Sequence, residues 1–460
     1  MIVPKHYENL SVLHEGTMPD RAYYIPAGQR MECLTMNREA SDRIQMLGGT
    51  WQFRYYDSIY DLRDTFYETD YDAAGFDEIP VPGVWQNYGY DRHQYTNIRY
   101  PFPADPPYVP PDNPCGAYIH HFFYEKNEDA PRSFLVFEGV DSCFYVWLNG
   151  IYIGYSQVSH AQAEFEITDA LREGENVLAV LVLKWCDGSY LEDQDKLRMS
   201  GIFRDVYLLR RPKQCVFDYF INTEILWRGE SEEADSAKID LRVSYLDRVI
   251  PVRAMVLDAA GREVARFAFE GSASFTIPSP RLWNSEDPYL YTLFLETARE
   301  VIAERIGIRE VTVRGNVLLI NRKPVKFRGV NRHDSDPVTG PVVSISRMRR
   351  DLHEDYIRPQ ENGSHCDCDY VTLCDNSYSL TAYSTVPFSF NASVYTQEEL
   401  TAKAHNYELE PCGSTVLCLD VRQNGIGSNS CGPRLQEKYR FDDAAFTYDM
   451  CLLPAREVQE

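Results

Sequence analysis

Polar residues suited to acid–base chemistry follow an apolar stretch in the segment "VKFRGVNRHDSDPVTG" (325–340). His333 and Asp334 stand where a predicted short strand, "VKFRGV", ends and a polar loop begins. Catalytic side chains often lie at the carboxyl ends of barrel strands, and His is the commonest general acid or base. The segment therefore looks like the start of a catalytic domain, and "SISRMRRDL" (344–352) indicates a first helix.

A second cluster, "SHCDCDYVTLC" (364–374), contains residue types that bind zinc. They are His365, Cys366, Cys368 and Cys374. Structural zinc sites use other ligand spacings, and a C-x-C pair on a strand places both thiols on one face. Alternating cysteines in a half-buried strand are the favoured interpretation.

The bulk composition excludes several classes of function. A net charge of −23 disfavours binding to nucleic acid or to an anionic membrane surface. The sequence contains no run of about 18 apolar residues, so it predicts no transmembrane helix. The first residues lack the apolar centre of a secretory signal. The 12 scattered cysteines do not resemble a disulfide framework. Reduced thiols and a cytoplasmic location are therefore expected.

The elements that must position these residues are mainly β-strands. A chain of 460 residues is too long for one core, so several domains are expected. Short alternating segments from "AYIHHFFYEK" to "GIFRDVYLLRR" predict a sandwich of jelly-roll type. Asn149-Gly150 predicts a two-residue hairpin turn. A proline- and tyrosine-rich loop precedes these strands, and loops this long are usually functional.

Two further β-rich regions follow. Residues 213–313 have the length and strand pattern of an immunoglobulin-like sandwich. The chain is β-rich again after "RPQENG" (358–363), apart from "TQEELTAKAHNYEL", which predicts a helix capped by Thr396.

Three clusters occur together in a recognisable order. They are "YTNIRYPF" (95–102), "KWCDGSYLEDQDKLRMSGIFRDVYLL" (184–209) and "LLINRKPVKFRGVNRHDSDPVTG" (318–340). This pattern resembles the large bacterial, lactose-hydrolysing type of β-galactosidase in glycoside hydrolase family 2. The likeness extends to the immunoglobulin-like segment and to the tail, so it covers most of the chain, although not continuously.

The resemblance implies a central (β/α)₈ barrel that carries an acid/base glutamate and a nucleophile glutamate. Such a pair lies about 5–5.5 Å apart, and a barrel needs at least about 200 residues. Here the barrel would begin near Lys326, and the tail is recognisable by Tyr356, about thirty residues later. The chain's Asn-Glu pair, Asn127-Glu128, falls in a predicted polar turn. The barrel and the domain that follows it are therefore expected to be missing.

The predicted fold class is mainly β with five parts. They are an N-terminal arm (1–45), a jelly-roll sugar-binding domain (46–212), an immunoglobulin-like β-sandwich (213–313), a remnant of the barrel's start with its vestigial first strand (314–352), and a C-terminal β-sandwich like the β-galactosidase small chain (353–460).

Three site residues are implied by the resemblance. Asn97 matches a loop residue that reaches the sugar, Asp195 one that contacts the sugar and helps hold sodium, and His333 one that binds the galactosyl group. Each has an alternative role. Asn97 could be a turn residue, Asp195 could pair with Arg198 or Arg204, and His333 could lie in a solvated loop.

The sequence thus predicts a β-galactosidase-like glycoside hydrolase chain, of the class that cleaves terminal β-galactosides, which is inactive alone and has no assigned catalytic residue. The alternative is a non-catalytic carbohydrate-binding or subunit-assembly module. The expected partner is a galactoside or another small carbohydrate, and not nucleic acid or a membrane. A homo-oligomer is compatible with this interpretation. Magnesium and sodium are expected in the complete family enzyme, and neither is expected to bind this chain.

Overall fold

The structure is a computed structural model that describes residues 3–96, 100–192, 196–229, 233–327, 333, 335–336, 338–343, 363–374, 378–421, 437, 440–441 and 443–456. The chain forms two compact units, Met1–Val343 and Ser344–Glu460, and each is described by itself. The described residues are mainly in β-strands, as predicted, and they contain no closed barrel.

Strands β1 to β16 and four 3₁₀ turns make up the first part of the first unit. The strands are β1 His14–Glu15, β2 Pro26–Ala27, β3 Ile44–Met46, β4 Gly49–Tyr56, β5 Asp77–Val81, β6 Gln94–Tyr95, β7 Cys115–Tyr124, β8 Arg132–Phe137, β9 Val140–Asp141, β10 Cys143–Leu148, β11 Ile151–Gln157, β12 Ala163–Glu166, β13 Gly174–Leu183, β14 Leu197–Arg198, β15 Gly201–Ile202 and β16 Val206–Arg211. The turns are η1 His6–Glu8, η2 Arg38–Ala40, η3 Trp85–Tyr88 and η4 Asp187–Tyr190.

The hairpin between β10 and β11 confirms the predicted two-residue turn. Asn149 and Gly150 have φ values of 52° and 81°, the left-handed values that a type I′ turn requires at both positions. The Asn149 amide also donates to the Asn176 side chain and to the Ala170 carbonyl, so the turn is tied to the strand beside it.

Two sheets pack face to face to form a sandwich. One has seven strands in the order β1-β11-β10-β13-β7-β4-β5, and the other has four in the order β12-β8-β16-β3. Leu135 and Phe137 on β8 point into the core between the sheets, while Phe134 and Val136 point outward. This alternation is the period of two that a strand imposes.

The seven-stranded sheet is buried on both faces. Its second face packs against loop residues that include Tyr7, Ile59, Phe66 and Val109. Fully burying a large apolar side chain contributes about 1.5–3 kcal/mol. These loops are therefore part of the core and are held close to the sheet.

The N-terminal residues, predicted to be polar and irregular, are also packed. Ile25, Ala27 and Leu34 cover the outer face of the four-stranded sheet, and β2 pairs with a strand of the following domain. Residues 1–45 therefore join the first sandwich to the second.

The second sandwich of the first unit contains most of β17 to β26. These strands are β17 Val216–Trp227, β18 Ala234–Tyr245, β19 Val252–Leu257, β20 Glu263–Phe269, β21 Ser272–Pro278, β22 Tyr291–Glu296, β23 Val301–Ile306, β24 Val311–Arg314, β25 Val317–Ile320 and β26 Lys323–Pro324. A sheet in the order β17-β18-β21 faces a sheet in the order β2-β23-β22-β19-β20. Their shared core includes Ile239, Val256 and Leu293, consistent with the predicted immunoglobulin-like sandwich.

A buried ion pair joins the two sandwiches. Arg211, the last residue of β16, donates to both carboxylate oxygens of Glu300 at 2.6 and 2.8 Å, and both side chains are almost fully buried. Arg211 also donates to the Tyr24 hydroxyl and to the Val216 carbonyl. One guanidinium therefore holds the arm, the first sandwich and the second.

A small sheet follows, in the order β24-β25-β26. Asn321 and Arg322 form the turn between β25 and β26, with φ values of 50° and 66°. The Val325 amide donates to the Leu318 carbonyl, which continues this hairpin toward the predicted first barrel strand. Residues 328–332 of that segment and the predicted helix at 344–352 lie outside the described residues.

The second unit contains β27 to β30, the helix α1 and the turn η5. They are β27 His365–Cys374, β28 Tyr378–Ser393, α1 Gln397–Ala402, η5 Asn406–Glu408, β29 Val416–Asp420 and β30 Cys451–Arg456. The Thr396 side chain accepts a hydrogen bond from the Glu399 amide, which confirms the predicted cap of α1. Strand β28 pairs with β27, β29 and β30, and the core contains Val371, Ala382 and Phe388.

Within the described ranges, no helix has the length and apolar character needed to span a membrane.

The ion pair gives a stability prediction. Arg211→Met leaves the Glu300 carboxylate buried without its partner, and we expect a loss of about 3–5 kcal/mol in the free energy of unfolding. The matched control is Arg281→Met, which removes an exposed pair with Asp287 and should cost about 0–1 kcal/mol. Urea unfolding measures both. Equal losses in the two variants would contradict the role given to Arg211.

His120 gives a pH prediction. Its ring stacks on Trp51 with centroids 4.7 Å apart, and burial, aided by His121, lowers the pKa of His120 to about 4. An unfolded His binds a proton below about pH 6.5, whereas the folded one does not until about pH 4. The folded state should therefore lose stability as pH falls through this window.

His120→Gln removes this contribution because glutamine does not titrate. We expect its urea midpoint to fall less between pH 7 and pH 5 than that of the native chain. His121→Gln, at the exposed neighbouring position, is the control. The prediction fails when the native chain and His120→Gln show the same pH dependence.

Candidate functional site

A pocket lies at one edge of the seven-stranded sheet, where β10 begins and β13 ends. Its cavity volume is about 10 Å³, roughly the room for one water, and its mouth opens to solvent. Its lining is Asp141, Ser142, Lys184, Trp185, Ser189, Glu192, Lys196, Arg198, Met199 and Ser200. We call it the edge pocket. Carboxylates, ammonium and guanidinium groups and hydroxyls together can donate to and accept from the hydroxyls of a sugar.

Short bonds hold the walls of the edge pocket. The Ser142 hydroxyl donates to the Lys184 carbonyl at 2.7 Å. Glu192 accepts from the Ser159 amide at 3.0 Å and from the Ser159 hydroxyl at 2.5 Å. The Arg198 guanidinium donates to the Ser189 carbonyl at 3.0 Å. The loop from β13 to β14 is therefore fixed on both sides of the residues 193–195.

The carboxyl group of Asp141 has an unusual environment. Burial raises the pKa of Asp141 to about 6, and the charge of Glu192 acts in the same direction. Lys196 and Arg198 favour the ionised form and limit the rise. Asp141 can therefore change its protonation state near neutral pH, which is a property of functional carboxyl groups and also of structural ones.

Aromatic rings cover the outer side of the same loop. Trp185 lies under the cations of Lys184 and Arg198, at 5.0 and 5.4 Å from the ring centroid. Phe102 contacts the rings of both Trp185 and Tyr190 edge-on at 5.1 Å. The Tyr190 hydroxyl donates to the Tyr108 carbonyl at 2.6 Å. These contacts anchor the proline-rich loop beside the edge pocket.

Two of the three predicted site residues, Asn97 and Asp195, lie outside the described residues. Their flanking strands are described, and they pair with each other. Leu197 of β14 lies opposite Tyr95 of β6, and Arg198 lies opposite Gln94. The pairing of β6 with β14 thus brings two loops together. The paired residues Tyr95 and Leu197 are each two positions in sequence from Asn97 and Asp195, respectively.

His333, the third predicted residue, is described and exposed. Burial lowers the pKa of His160, and the charges of Lys196, Arg204 and His333 act in the same direction. Lys196 also lines the edge pocket. His333 and Lys196 thus act electrostatically on the same residue, although His333 is distant from it in sequence.

The residues after His333 pack on the first sandwich. Val342 lies against the cluster Val84, Met199 and Phe203. Gly340 has φ +65°, a left-handed backbone conformation that favours glycine, and it lies close to the Met199 sulfur. Residues 338–343 thus pack against Met199, which lines the edge pocket.

Other predicted features have clear positions. Asn127 caps a turn by accepting from the Asp129 and Ala130 amides, and the Glu128 side chain is 82% exposed. The predicted polar turn is confirmed for the Asn-Glu pair.

In the described part of the chain, no group of three or more His, Cys, Asp or Glu side chains is arranged to hold a metal ion. The fit of sodium at Asp195 lies outside the described residues.

Sequence reasoning missed most of the lining of the edge pocket. Lys184 and Trp185 directly follow the long apolar strand β13, which ends at Leu183, and Asp141 shortly precedes β10. The abrupt change from "NVLAVLVL" to "KWCDGSY" was the available signal, because a buried strand that ends in charged and aromatic residues often ends at a site.

Four family models match the chain in order. They are the sugar binding domain of glycosyl hydrolases family 2 at residues 44–212, a second glycosyl hydrolases family 2 domain at 221–309, the family's TIM barrel domain at 311–355, and the β-galactosidase small chain at 346–452. The chain belongs to glycosyl hydrolase family 2.

Within this family the chain is β-galactosidase-like. It is 44% identical over 352 residues to a β-galactosidase of Actinobacillus pleuropneumoniae, covering 76% of this chain and 34% of that protein. It is 41% identical over 357 residues to a β-galactosidase of Staphylococcus xylosus, again covering 76% of this chain and 34% of that protein. The chain spans about a third of the length of these curated relatives.

Solved structures share the fold. A β-glucuronidase of an uncultured Clostridium aligns with a TM-score of 0.53 and 22% identity, over 66% of this chain and 51% of that chain. A β-glucuronidase of Bifidobacterium dentium aligns with a TM-score of 0.53 and 21% identity, over 66% and 55%.

The packing of Val342 gives a prediction. Val342→Asp places a charge in an apolar cluster, so the segment 338–343 should detach locally, and its amides should exchange with solvent about five- to ten-fold faster. Val338→Asp, an exposed position in the same segment, is the control. Hydrogen exchange by mass spectrometry reports both. Unchanged exchange in Val342→Asp would contradict the proposed contact.

Proposed function

We propose that this chain is a β-galactosidase-like framework that binds a small carbohydrate and does not hydrolyse it alone. One observation supports the proposed lack of hydrolysis. Residues 325–364, 40 in all, separate Pro324 at the end of β26 from His365 at the start of β27. A (β/α)₈ barrel needs at least about 200 residues, so eight strands and helices do not fit in this interval.

The edge pocket is too small to enclose a sugar ring, and it supports carbohydrate binding through the polar groups at its mouth. It lies in the region that matches a sugar binding domain, and its lining offers both donors and acceptors. Asp141 and Glu192 accept hydrogen bonds from hydroxyls, and Lys196 and Arg198 donate them. Asn97, Asp195 and His333 are proposed to complete the contacts with a galactoside. Asp195 lies in sequence between the pocket residues Glu192 and Lys196, and β6, two residues before Asn97, pairs with β14. The charge of His333 acts on His160 together with that of Lys196.

The predicted domain limits, 1–45, 46–212, 213–313, 314–352 and 353–460, are kept as proposals, and the four family matches are consistent with them. Sodium and magnesium are not proposed to bind this chain, because the resemblance assigns the other sodium ligands to the barrel. The cytoplasmic location remains a prediction.

The assembly alternative has less support from the arm. Its residues Tyr24, Ile25 and Ala27 are buried, and β2 pairs with β23 of the same chain. These groups therefore have partners within the chain and are not needed to pair subunits.

The test uses the full chain, purified from a host without β-galactosidase activity. We expect no release of nitrophenol from a nitrophenyl β-galactoside. We also expect weak, roughly millimolar binding of a non-hydrolysable thiogalactoside in saturation-transfer NMR. Arg198→Ala should weaken this binding, because it removes a donor and a wall of the pocket. Glu128→Gln, at the exposed turn, is the matched control and should bind as the native chain does.

Two results would overturn the proposal. Turnover that persists in the clean preparation and is lost in Asp141→Asn or Asp195→Asn would show that the chain is catalytic alone. Absence of thiogalactoside binding at ligand concentrations of tens of millimolar would contradict the proposed binding of a carbohydrate.

A further inference from the structure

The second unit has a sheet face on which three strands align their side chains in three rows. Strand β28 pairs with β27 on one side and with β30 on the other. Residues that are direct partners point to the same face of a sheet. The rows are Tyr370, Tyr383 and Cys451; Thr372, Thr381 and Leu453; and Cys374, Ser379 and Ala455. We call this surface the tyrosine face.

The opposite side of the same strands forms the core. Val371 on β27 and Ala382 on β28 are buried with Phe388, and Leu417 and Leu419 of β29 pack against them. The tyrosine face is therefore the outer side. Tyr370 and Tyr383 are cross-strand partners on this side, and their side chains are 67% and 40% exposed, respectively.

Local bonds order this face. Tyr370, Tyr383 and Cys451 are direct cross-strand partners, so they form one row. In the next row, the hydroxyls of Thr372 and Thr381 lie 2.9 Å apart and are hydrogen-bonded to each other. Two exposed tyrosines and a pair of hydroxyls thus lie in adjacent rows of the same face.

The charge of the tyrosine face differs from that of the whole chain. None of its nine side chains is charged at neutral pH, whereas the chain carries a net charge of −23. An anionic ligand would be repelled by the surrounding protein, and a cationic ligand would find no carboxylate on this face. The surface therefore matches an uncharged, polyhydroxylated partner.

We propose that the tyrosine face binds an uncharged oligosaccharide. Pyranose rings present C–H groups on one side, and these pack on the exposed faces of Tyr370 and Tyr383. The sugar hydroxyls at the ring edge exchange hydrogen bonds with Thr372 and Thr381. A β-linked galactose oligomer suits the pair, because the axial hydroxyl of galactose leaves one ring side rich in C–H groups. The site lies in the second unit and does not depend on the edge pocket.

The test is calorimetric titration of the full chain, in reducing buffer, with β-1,4-galactotetraose, galactose and tetragalacturonate. We expect the tetraose to bind, the monosaccharide to bind much more weakly, and the anionic oligomer not to bind. Tyr370→Ala and Tyr383→Ala should each weaken tetraose binding about ten-fold, as expected for the loss of a stacking contact. Tyr383→Phe keeps the stacking ring and loses only the hydroxyl, so its affinity should lie much closer to that of the native chain than that of Tyr383→Ala.

Tyr407→Ala is the matched control, since Tyr407 is 79% exposed in the same unit but lies outside the sheet. Thr372→Val with Thr381→Val tests the hydroxyls while keeping the shape of the side chains. Circular dichroism checks that each variant is folded.

Three outcomes would overturn the proposal. The first is the absence of any heat with millimolar tetraose. The second is equal tetraose affinity in the native chain, Tyr370→Ala and Tyr383→Ala. The third is a change of self-association in light scattering with no change in tetraose affinity, which would make the face a contact between copies. Loss of tetraose binding in Arg198→Ala alone would place the ligand in the edge pocket, so that this proposal fails while the proposed function stands.

Discussion

The burial of both faces of the seven-stranded sheet is the constraint on which the rest of the first unit depends. A sheet with apolar residues on both sides needs a cover on each. The four-stranded sheet supplies one, and loops that contain Tyr7, Ile59 and Phe66 supply the other. Because these loops are packed as core, the segments that continue from them are also fixed. The edge pocket forms where they meet the ends of β10 and β13.

Local sequence signals predicted the elements whose geometry is set by neighbouring residues. Asn149-Gly150 can adopt the left-handed backbone of a tight hairpin, and Thr396 can cap a helix through its own side chain. Alternating apolar residues predicted most of the strands for the same reason. The C-terminal region predicted to be β-rich is less regular than expected, because residues 443–450 form no strand and β30 begins at Cys451.

Features that depend on distant partners could not be predicted in this way. Tyr24 is buried because Arg211 and Val216 meet its hydroxyl, and nothing in the residues around Tyr24 indicates this. The bond between Glu192 and Ser159 joins residues that are 33 positions apart, and it follows only from the folded loop. The charge of His333 acts on His160, far away in sequence, and local pattern gives no sign of this; the role of His333 in sugar binding stays a prediction from the family resemblance.

The return of residues 338–343 to the first sandwich has a mechanical consequence. The chain leaves that sandwich after Arg211, passes through the immunoglobulin-like domain, and comes back to the Met199 cluster. The immunoglobulin-like domain is thus attached to the first sandwich at its beginning and at its end, and not at one point. Rotation about either attachment would break the other, so the two sandwiches are expected to tumble as a single body.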